Sequence, residues 1–451
     1  MEIILLIVLI LAETALAVIS LTKFREKASR MKNRWIVTVC EAAAVIGIIL
    51  LPTVYMKWRF ICAVAVLFIR LLIELIVWLV RRKKAVGEKK KVFVILNWLL
   101  SVIIISFSML PAFIFTNYNG LETTGEFNVK AVSAILVDKS RKDTFENDGS
   151  YREVPAHFYY PETDSGSYPL IVFSHGAFGY YQSNFSTYEE LVSHGYVVVS
   201  LDHPHHAFFT EDTKGNTIIV DSKFMNDAMN VGSENVSIEE IYNVTKDWMK
   251  LRTDDENFVL DTIEQAKESL ALSDAWHADD QTEVIKVLSM TDTDKIGLMG
   301  HSLGGATSVN VGRQRDDIDT VVVLDGTMFG EIIGVENGKY VYEKEAYPVP
   351  VLDFTKEKDY NDREQFKKDN GYAYINEYVI ENAKDGKVSV FANAGHMDFT
   401  DLPLISPVLA SMLGKGEVDS EEFVTQMNAI ILNWFDYYLK NEGTLDIQAK
   451  Y

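Results

Sequence analysis

Gly300, Ser302 and Gly304 form a G-x-S-x-G pentapeptide, and Gly305 extends it. A serine in this setting becomes a usable nucleophile when a sharp strand-to-helix turn exposes its Oγ and aims backbone N–H groups at the same point. The flanks suit such a turn. Residues 295–299 are a short apolar run that reads as a buried parallel strand, and 306–311 read as the start of a helix. Serine is a weak nucleophile at neutral pH, so Ser302 needs a base within hydrogen-bond reach and an acid to orient that base.

The same chemistry needs two fixed donors for a tetrahedral oxyanion, and loss of one typically costs on the order of 10²–10³ in turnover. The N–H of Leu303, next to the serine, is one candidate. The N–H of Ala177, in the turn after Ser174, His175 and Gly176, is the other. Asp202, His203, His205 and His206 tempt a metal reading, but they lack the cysteine or carboxylate spacing of a known metal type and read as pocket-lining or structural residues. With no nucleotide, flavin or metal motif, neither a cofactor nor a metal is predicted.

The elements that position these residues lie beyond about residue 129. The runs 169–174, 196–202, 295–299, 320–325, 349–354 and 388–392 are apolar enough to be central parallel strands. Ser186 and Glu189 form a capping-box pair that opens a helix ending at Gly195. Residues 420–441 make the clearest helix, with Phe423, Met427, Ile430, Ile431, Trp434 and Tyr438 in its apolar stripe. Alternating β and α elements predict an α/β fold, a mostly parallel central sheet with helices on both faces. About 90 residues separate Asp202 from Lys295, far more than a crossover needs. Part of that surplus, about 208–243, is predicted to be a lid or an added substrate wall.

Charge divides the chain. Residues 1–120 hold 16 Lys and Arg against 6 Asp and Glu, whereas 121–451 hold 27 against 58. So acidic a portion repels nucleic acid and anionic surfaces at long range, which disfavours nucleic-acid binding. Cys40 and Cys62 both lie in the first part, so the acidic part has no disulfide. Four apolar segments, 3–21, 35–55, 60–80 and 92–115, approach or exceed the ~20 residues needed to cross the hydrocarbon core. Residues 1–120 are therefore read as a four-helix transmembrane module and 121–451 as the domain it carries. Glu2, where a leader would be basic, and Glu13 inside the first run argue for a retained span. Thirteen basic residues crowd the loops after spans one and three, against Lys57 and Arg59 between two and three. The positive-inside rule then predicts a multi-pass cell-membrane protein with the acidic domain extracytoplasmic. Glu13, Glu41, Arg70 and Glu74 fall inside the spans and read as ion pairs holding the bundle together.

The acidic domain resembles the plasma-type platelet-activating-factor acetylhydrolases and their bacterial relatives, within the α/β-hydrolase superfamily. The resemblance covers roughly residue 129 to the C-terminus and rests on 169–177, on 294–307 around the pentapeptide, and on 322–325. Arg252, Asp255, Phe258 and Asp261 resemble the helix that precedes the elbow strand in that family. Secreted members lack the membrane module. The resemblance implies the α/β-hydrolase fold and a chain order of serine, acid, histidine. Of the nine histidines, His396 is the only one beyond the pentapeptide, in a loop directly after the last predicted strand. Asp325 matches the acid-bearing segment of the family. Asp353, ending the next strand, is the alternative acid, where many other α/β-hydrolases carry theirs, or else a structural anchor. Asp398 reads as a supporting or solvated residue.

The expected function is a membrane-anchored serine hydrolase cleaving carboxylic esters, lipophilic or short-acyl, through Ser302, His396, Asp325 and an acyl-enzyme. One alternative is a peptidase or amidase with the same triad. Another is a catalytically silent hydrolase fold serving as a membrane sensor or binding protein, against which the intact serine, histidine and acid argue. The expected partners are a small-molecule or lipid ester and the membrane itself.

Overall fold

A computed structural model of the chain describes residues 1–23, 26–81, 90–231 and 236–451. The loop cations Arg25, Arg82, Lys83, Lys84 and Lys89, the Arg81 side chain and residues 232–235 of the expected lid lie outside the described residues. The chain divides into two units, Met1–Gly120 with Pro403–Met412, and Leu121–Leu402 with Leu413–Tyr451.

The first unit is built on four helices, α1 (Glu2–Thr22), α2 (Lys27–Ile49), α3 (Ile61–Arg81) and α4 (Lys91–Ser108). Among the described residues, three stretches are long and apolar enough to cross a membrane: Glu2–Thr22, Lys57–Val80 and Lys91–Ser108. α2 differs from the apolar run at 35–55. It begins at Lys27 and stops at Ile49, so its first turns carry Lys27, Arg30, Lys32 and Arg34. The last run, 92–115, is not one helix either. α4 ends at Ser108 and a short helix, Leu110–Ile114, follows, because Pro111 has no N–H to continue the ladder.

The charges within these helices are paired between helices. Arg70 of α3 forms an ion pair with Glu13 of α1, and its Nη1 lies 3.3 Å from Glu41 Oε2 of α2. Arg34 of α2 lies 3.2 Å from Glu74 Oε1 of α3, which also accepts from Thr38 Oγ1 at 2.9 Å. Arg70 and Glu74 are four residues apart on one helix, yet both are matched from other helices, Arg70 by α1 and α2 and Glu74 by α2. Around them Leu5, Leu9, Val45, Phe60, Leu67 and Ile105 form an apolar cluster. An unpaired buried charge costs several kcal/mol, so the pairs fix which helix faces which. Arg70→Met would leave Glu13 and Glu41 without their shared cation. It is expected to destabilise this unit by about 3–5 kcal/mol, read as a lower unfolding midpoint of the detergent-solubilised protein; an unchanged midpoint would remove the pairs from the account.

The second unit is one nine-stranded sheet with helices. Its strands are β1 (Val129–Lys142), β2 (Tyr151–Pro161), β3 (Tyr168–Ser174), β4 (Val197–Leu201), β5 (Trp276–His277), β6 (Thr291–His301), β7 (Thr320–Leu324), β8 (Val351–Lys356) and β9 (Gly386–Phe391). They run in the order β9-β8-β7-β6-β3-β4-β2-β1-β5. All six predicted strands are present, and they pair in parallel. Every residue of β4 and of β7 is buried, as expected of strands covered on both faces. β1 and β2 add a long antiparallel pair at one side.

The helices are α5 (Phe185–Ser193), α6 (Ser222–Val231), α7 (Ile238–Ser269), α8 (Gln281–Met290), α9 (Leu303–Gln314), α10 (Glu357–Asn370), α11 (Ile375–Asn382) and α12 (Ser420–Phe435). Two expectations change. No capping box forms at Ser186, because its N–H and Oγ donate to Asp401 at 2.7 and 2.5 Å and Asn184 takes the cap position. Most of the surplus before β6 is α7, whose Val259, Leu260 and Ile263 enter the main core. The described part of 208–243 holds only a small hairpin (Phe209–Glu211 with Thr217–Ile219), α6 and the first residues of α7.

Candidate active site

β6 carries the chain to Ser302, and α9 begins at Leu303. Ser302 has φ 53° and ψ −120°, a conformation that costs a residue with a Cβ on the order of 1–3 kcal/mol. Its N–H donates to Leu324 O at 2.8 Å, which holds the turn against the end of β7. Close backbone approach does the rest. A Cβ on Gly304 would stand 1.8 Å from Ser174 O, and one on Gly300 would stand 2.2 Å from the carbonyl carbon of Gly304. Only glycine lets the first turn of α9 lie this near the end of β3.

The N–H groups of Leu303 and Ala177 have no acceptor among the described residues. Gly176, just before Ala177, sits so close that a Cβ on it would be 3.2 Å from Ser302 Cβ. Both sequence-predicted donors therefore lie beside Ser302. Phe178 follows with φ 61°, and its N–H donates to His206 O at 3.1 Å.

His396 Nδ1 lies 2.6 Å from Asp325 Oδ2. Asp325 directly follows β7 with φ 49°, and its N–H donates to Phe354 O at 2.9 Å. Lys356 Nζ lies 3.3 Å from the same carboxylate. Burial by itself would raise the Asp325 pKa, but the His396 hydrogen bond and the charges of His396 and Lys356 hold it well below the usual carboxylate range. An ionised Asp325 accepts Nδ1–H and leaves His396 Nε2 to exchange a proton. Buried His301 donates from Nε2 to His396 O at 3.1 Å, and burial first, then the neighbouring His396, pushes its pKa down to about 3. Asp398 accepts from Gly395 N–H at 2.8 Å and Gly416 N–H at 2.7 Å, pinning the loop on both sides of His396.

Asp353 has different company. Its Oδ2 accepts from Arg363 Nη1 at 2.9 Å and Asn376 Nδ2 at 3.1 Å, and burial pushes its pKa up to about 6 despite the pull of Arg363. Asn376 also donates to Gly326 O at 2.8 Å. Asp353 thereby braces the turn that carries Asp325.

The histidine-rich end of β4 is a hydrogen-bonded support. His203 links Ser174 Oγ (2.9 Å) to Asp255 Oδ2 (3.0 Å), and its N–H donates to His175 Nε2 at 3.1 Å. Asp255 also accepts from Arg152 Nη2 at 2.7 Å, and Arg252, one turn earlier on α7, donates to His175 O. Burial pushes the His203 pKa down to about 3, so it is a neutral linker. The structural reading of His203 agrees with these bonds, whereas its link to Asp255 and the reach of Arg252 to His175 were not foreseen in sequence. Phe224 of α6 packs with Trp248, Met249, Leu303 and Ala306, and Ala177 and Phe178 border that cluster. The described part of the insertion thus lays an apolar wall beside the elbow.

A second serine, histidine and aspartate meet elsewhere. Ser133 Oγ lies 2.7 Å from His157 Nδ1, and His157 Nε2 lies 3.4 Å from Asp202 Oδ2. Ser133 sits mid-strand opposite His157 in the β1–β2 register, without a strand-to-helix turn to present N–H groups.

A family model, platelet-activating factor acetylhydrolase, isoform II, matches residues 149–447. The chain belongs to this family. A platelet-activating factor acetylhydrolase of Cavia porcellus is 24% identical over 315 residues, covering 65% of this chain and 63% of that protein. One of Bos taurus is 25% identical over 299 residues, covering 62% and 59%. The chain thus spans less than two thirds of the length of these relatives. A ferulic acid esterase from Streptomyces cinnamoneus has a TM-score of 0.51 at 19% identity, over 73% of this chain and 95% of its own. That likeness and the sheet order agree with the α/β-hydrolase fold of this acetylhydrolase family.

Gly304→Ala should test the close approach, because its methyl would overlap the Ser174 backbone at the end of β3, which β4 and β6 hold on both sides. The expected loss exceeds about 4 kcal/mol, the range reserved for severe core disruption, and shows as failure to recover folded protein. Folded, active Gly304→Ala would mean the turn is looser than its 1.8 Å clearance indicates.

Proposed function

We propose that the protein is a membrane-anchored serine hydrolase that cleaves carboxylic esters with a short or lipophilic acyl group. The observation that carries this reading is the His396–Asp325 hydrogen bond at 2.6 Å, formed beside a strained serine turn with two unengaged N–H groups. In the proposed cycle Ser302 Oγ attacks the ester carbonyl carbon while His396 Nε2 takes its proton. The oxyanion receives hydrogen bonds from the N–H groups of Leu303 and Ala177. Collapse of the tetrahedral intermediate expels the alcohol, protonated by His396, and leaves an acyl-Ser302. Water then attacks the acyl carbon, with His396 again as base, and the acid departs.

The acetylhydrolase activity for which the relatives are named supports an acetyl or other short-acyl ester, and the Phe224–Trp248 wall supports an apolar acyl or alcohol moiety near the elbow. The wall is the proposed role of the described part of 208–243. The three apolar stretches support integral membrane anchoring, and α2 is proposed as the fourth span. The positive-inside rule then supports an extracytoplasmic domain.

Ser302→Ala and His396→Ala are each expected to abolish turnover of a chromogenic acetyl ester and, for Ser302→Ala, labelling by a fluorophosphonate. Asp325→Asn should lower kcat on the order of 10⁴-fold, the effect of misorienting a triad imidazole, while Asp353→Asn chiefly lowers stability. Ser133→Ala should keep parental turnover. Loss of labelling in Ser133→Ala, with retention in Ser302→Ala, would move the nucleophile to the other site.

Topology has its own test. Protease added to intact cells should digest the domain beyond Gly120 and spare a tag inserted near Gly87. The opposite pattern would place the substrates in the cytoplasm.

A further inference from the structure

The second unit holds a cavity of about 550 Å³ whose lining includes neither Ser302, His396 and Asp325 nor the N–H donors beside them. Ser133 of β1, His157 of β2 and Trp276 of β5 line it, and the small hairpin before α6 contributes Phe209, Thr210 and Glu211. Thr213, in the turn of that hairpin, donates from its N–H and Oγ1 to Glu153 of β2 at 2.7 and 2.8 Å. Those two bonds fix the hairpin to the sheet. The insertion that lays an apolar wall beside the elbow thus also builds a second, polar cavity.

Two buried polar atoms of its lining residues are left over. Thr210 and Trp276 are each 4% exposed, and neither Thr210 Oγ1 nor Trp276 Nε1 has a hydrogen-bond partner among the described residues. A buried polar group without a partner is costly, so two of them in the lining of one cavity mark where a ligand oxygen would be held. An indole N–H only donates, whereas a threonine hydroxyl donates or accepts. A hydroxyl oxygen on the ligand suits both. Charge supplies the second requirement. The lining holds Asp202, Glu211, Asp212 and Asp279 against His157 and His277, with no Lys or Arg. Asp202 is committed to Tyr181 N–H at 2.8 Å and faces His157 at 3.4 Å. Asp212 accepts from the N–H groups of Lys214 and Asn216 in its own turn. That leaves Glu211 and Asp279, and a cleft lined by one sign of charge draws the opposite sign. Among the described residues no group of three or more His, Cys, Asp or Glu could hold a metal ion, so the cation called for is a molecular one.

We propose that this cavity is a binding site for a small hydroxylated ammonium compound, its ammonium group held by Glu211 and Asp279 and a hydroxyl by Thr210 and Trp276. Hydrogen bonds from an ammonium to carboxylates are of the strong, charge-assisted kind. A neutral polyol would leave the two carboxylates unmatched. A bare alkylammonium would leave Thr210 and Trp276 unpaired. The site would be occupied whether or not Ser302 turns over an ester, so its test stands apart from that of the enzyme.

The full chain in detergent micelles can be titrated calorimetrically at neutral pH with three probes: glucamine, a six-carbon polyol ending in an ammonium group; sorbitol, its neutral counterpart; and cyclohexylammonium, which has the charge and no oxygen. Glucamine should saturate at one molecule per chain, with sorbitol and cyclohexylammonium each at least tenfold weaker. The double variant Glu211→Gln with Asp279→Asn should weaken glucamine at least tenfold, to the level of sorbitol. Should that variant fail to fold, Ser133→Trp at an exposed position of β1 fills the cavity with all carboxylates intact and should abolish glucamine binding. Sorbitol binding as tight as that of glucamine, or undiminished glucamine binding in Ser133→Trp, would overturn the proposal. So would the lack of any saturable glucamine binding, which would assign the two leftover atoms to water. Ester turnover of the same preparations reads the Ser302 site and separates this outcome from failure of the hydrolase reading.

Discussion

The site in the second unit depends on how near the first turn of α9 can come to the end of β3. Gly304 meets Ser174 O with no room for a methyl group, and that approach sets where Ser302 stands relative to Gly176 and Ala177. The sheet supplies the rigidity. β6 is hydrogen-bonded on one side to β3, with Ser174 opposite Gly300, and on the other to β7, with His301 opposite Leu324. A strained serine of this kind persists only where both neighbours are fixed, and the middle of a nine-stranded sheet is such a place. Asp325 follows β7 directly, so the strand that braces the turn also sets the carboxylate facing His396.

Buried charge plays the same part in both units. Asp255 joins Arg152 of β2 to His203 beyond β4, while Arg252 reaches His175 O beyond β3. In the helical unit Arg70 joins Glu13 to Glu41. Such pairs add little net stability over a well-packed apolar core, but removing one member is costly. Their value here is in register. α7 cannot rotate or slide without stranding Asp255, and α3 cannot do so without stranding Arg70.

The parallel core was legible because its strands are unbroken apolar runs, such as Val197 to Leu201, which neither a helix nor a surface strand would use. The turn at Ser302 was legible because glycine stands where backbone must touch backbone. What was not legible depended on partners distant in sequence. Ser186 and Glu189 have the spacing of a cap, but Asp401, more than two hundred residues on, takes both donor groups of Ser186. Asp325 follows β7 while Asp353 lies within β8 rather than at its end, and the sequence preferred Asp325 only through its match to the family's acid-bearing segment. The structure sets Asp325 against His396 and Asp353 against Arg363 and Asn376. α2 began earlier than its apolar run because Lys and Arg favour helix as readily as apolar residues do. α7 was placed only through the resemblance around Arg252, Asp255, Phe258 and Asp261, and its full length was not legible because the face it buries carries Arg252, Asp255 and Glu256 among its hydrophobic residues.

Asp398 ties Gly395 to Gly416 through one carboxylate. The chain is closed there upon itself, with His396 inside the closure, so the path between Phe399 and Lys415 does not determine where the imidazole sits. Loop-closure entropy rises only slowly with length, so a tie at the base holds the imidazole however long the excursion, while Asp401 within it keeps its own bonds to Ser186. The proton-transfer geometry is thereby decoupled from the far part of the excursion, Pro403–Met412, which groups with the helical unit.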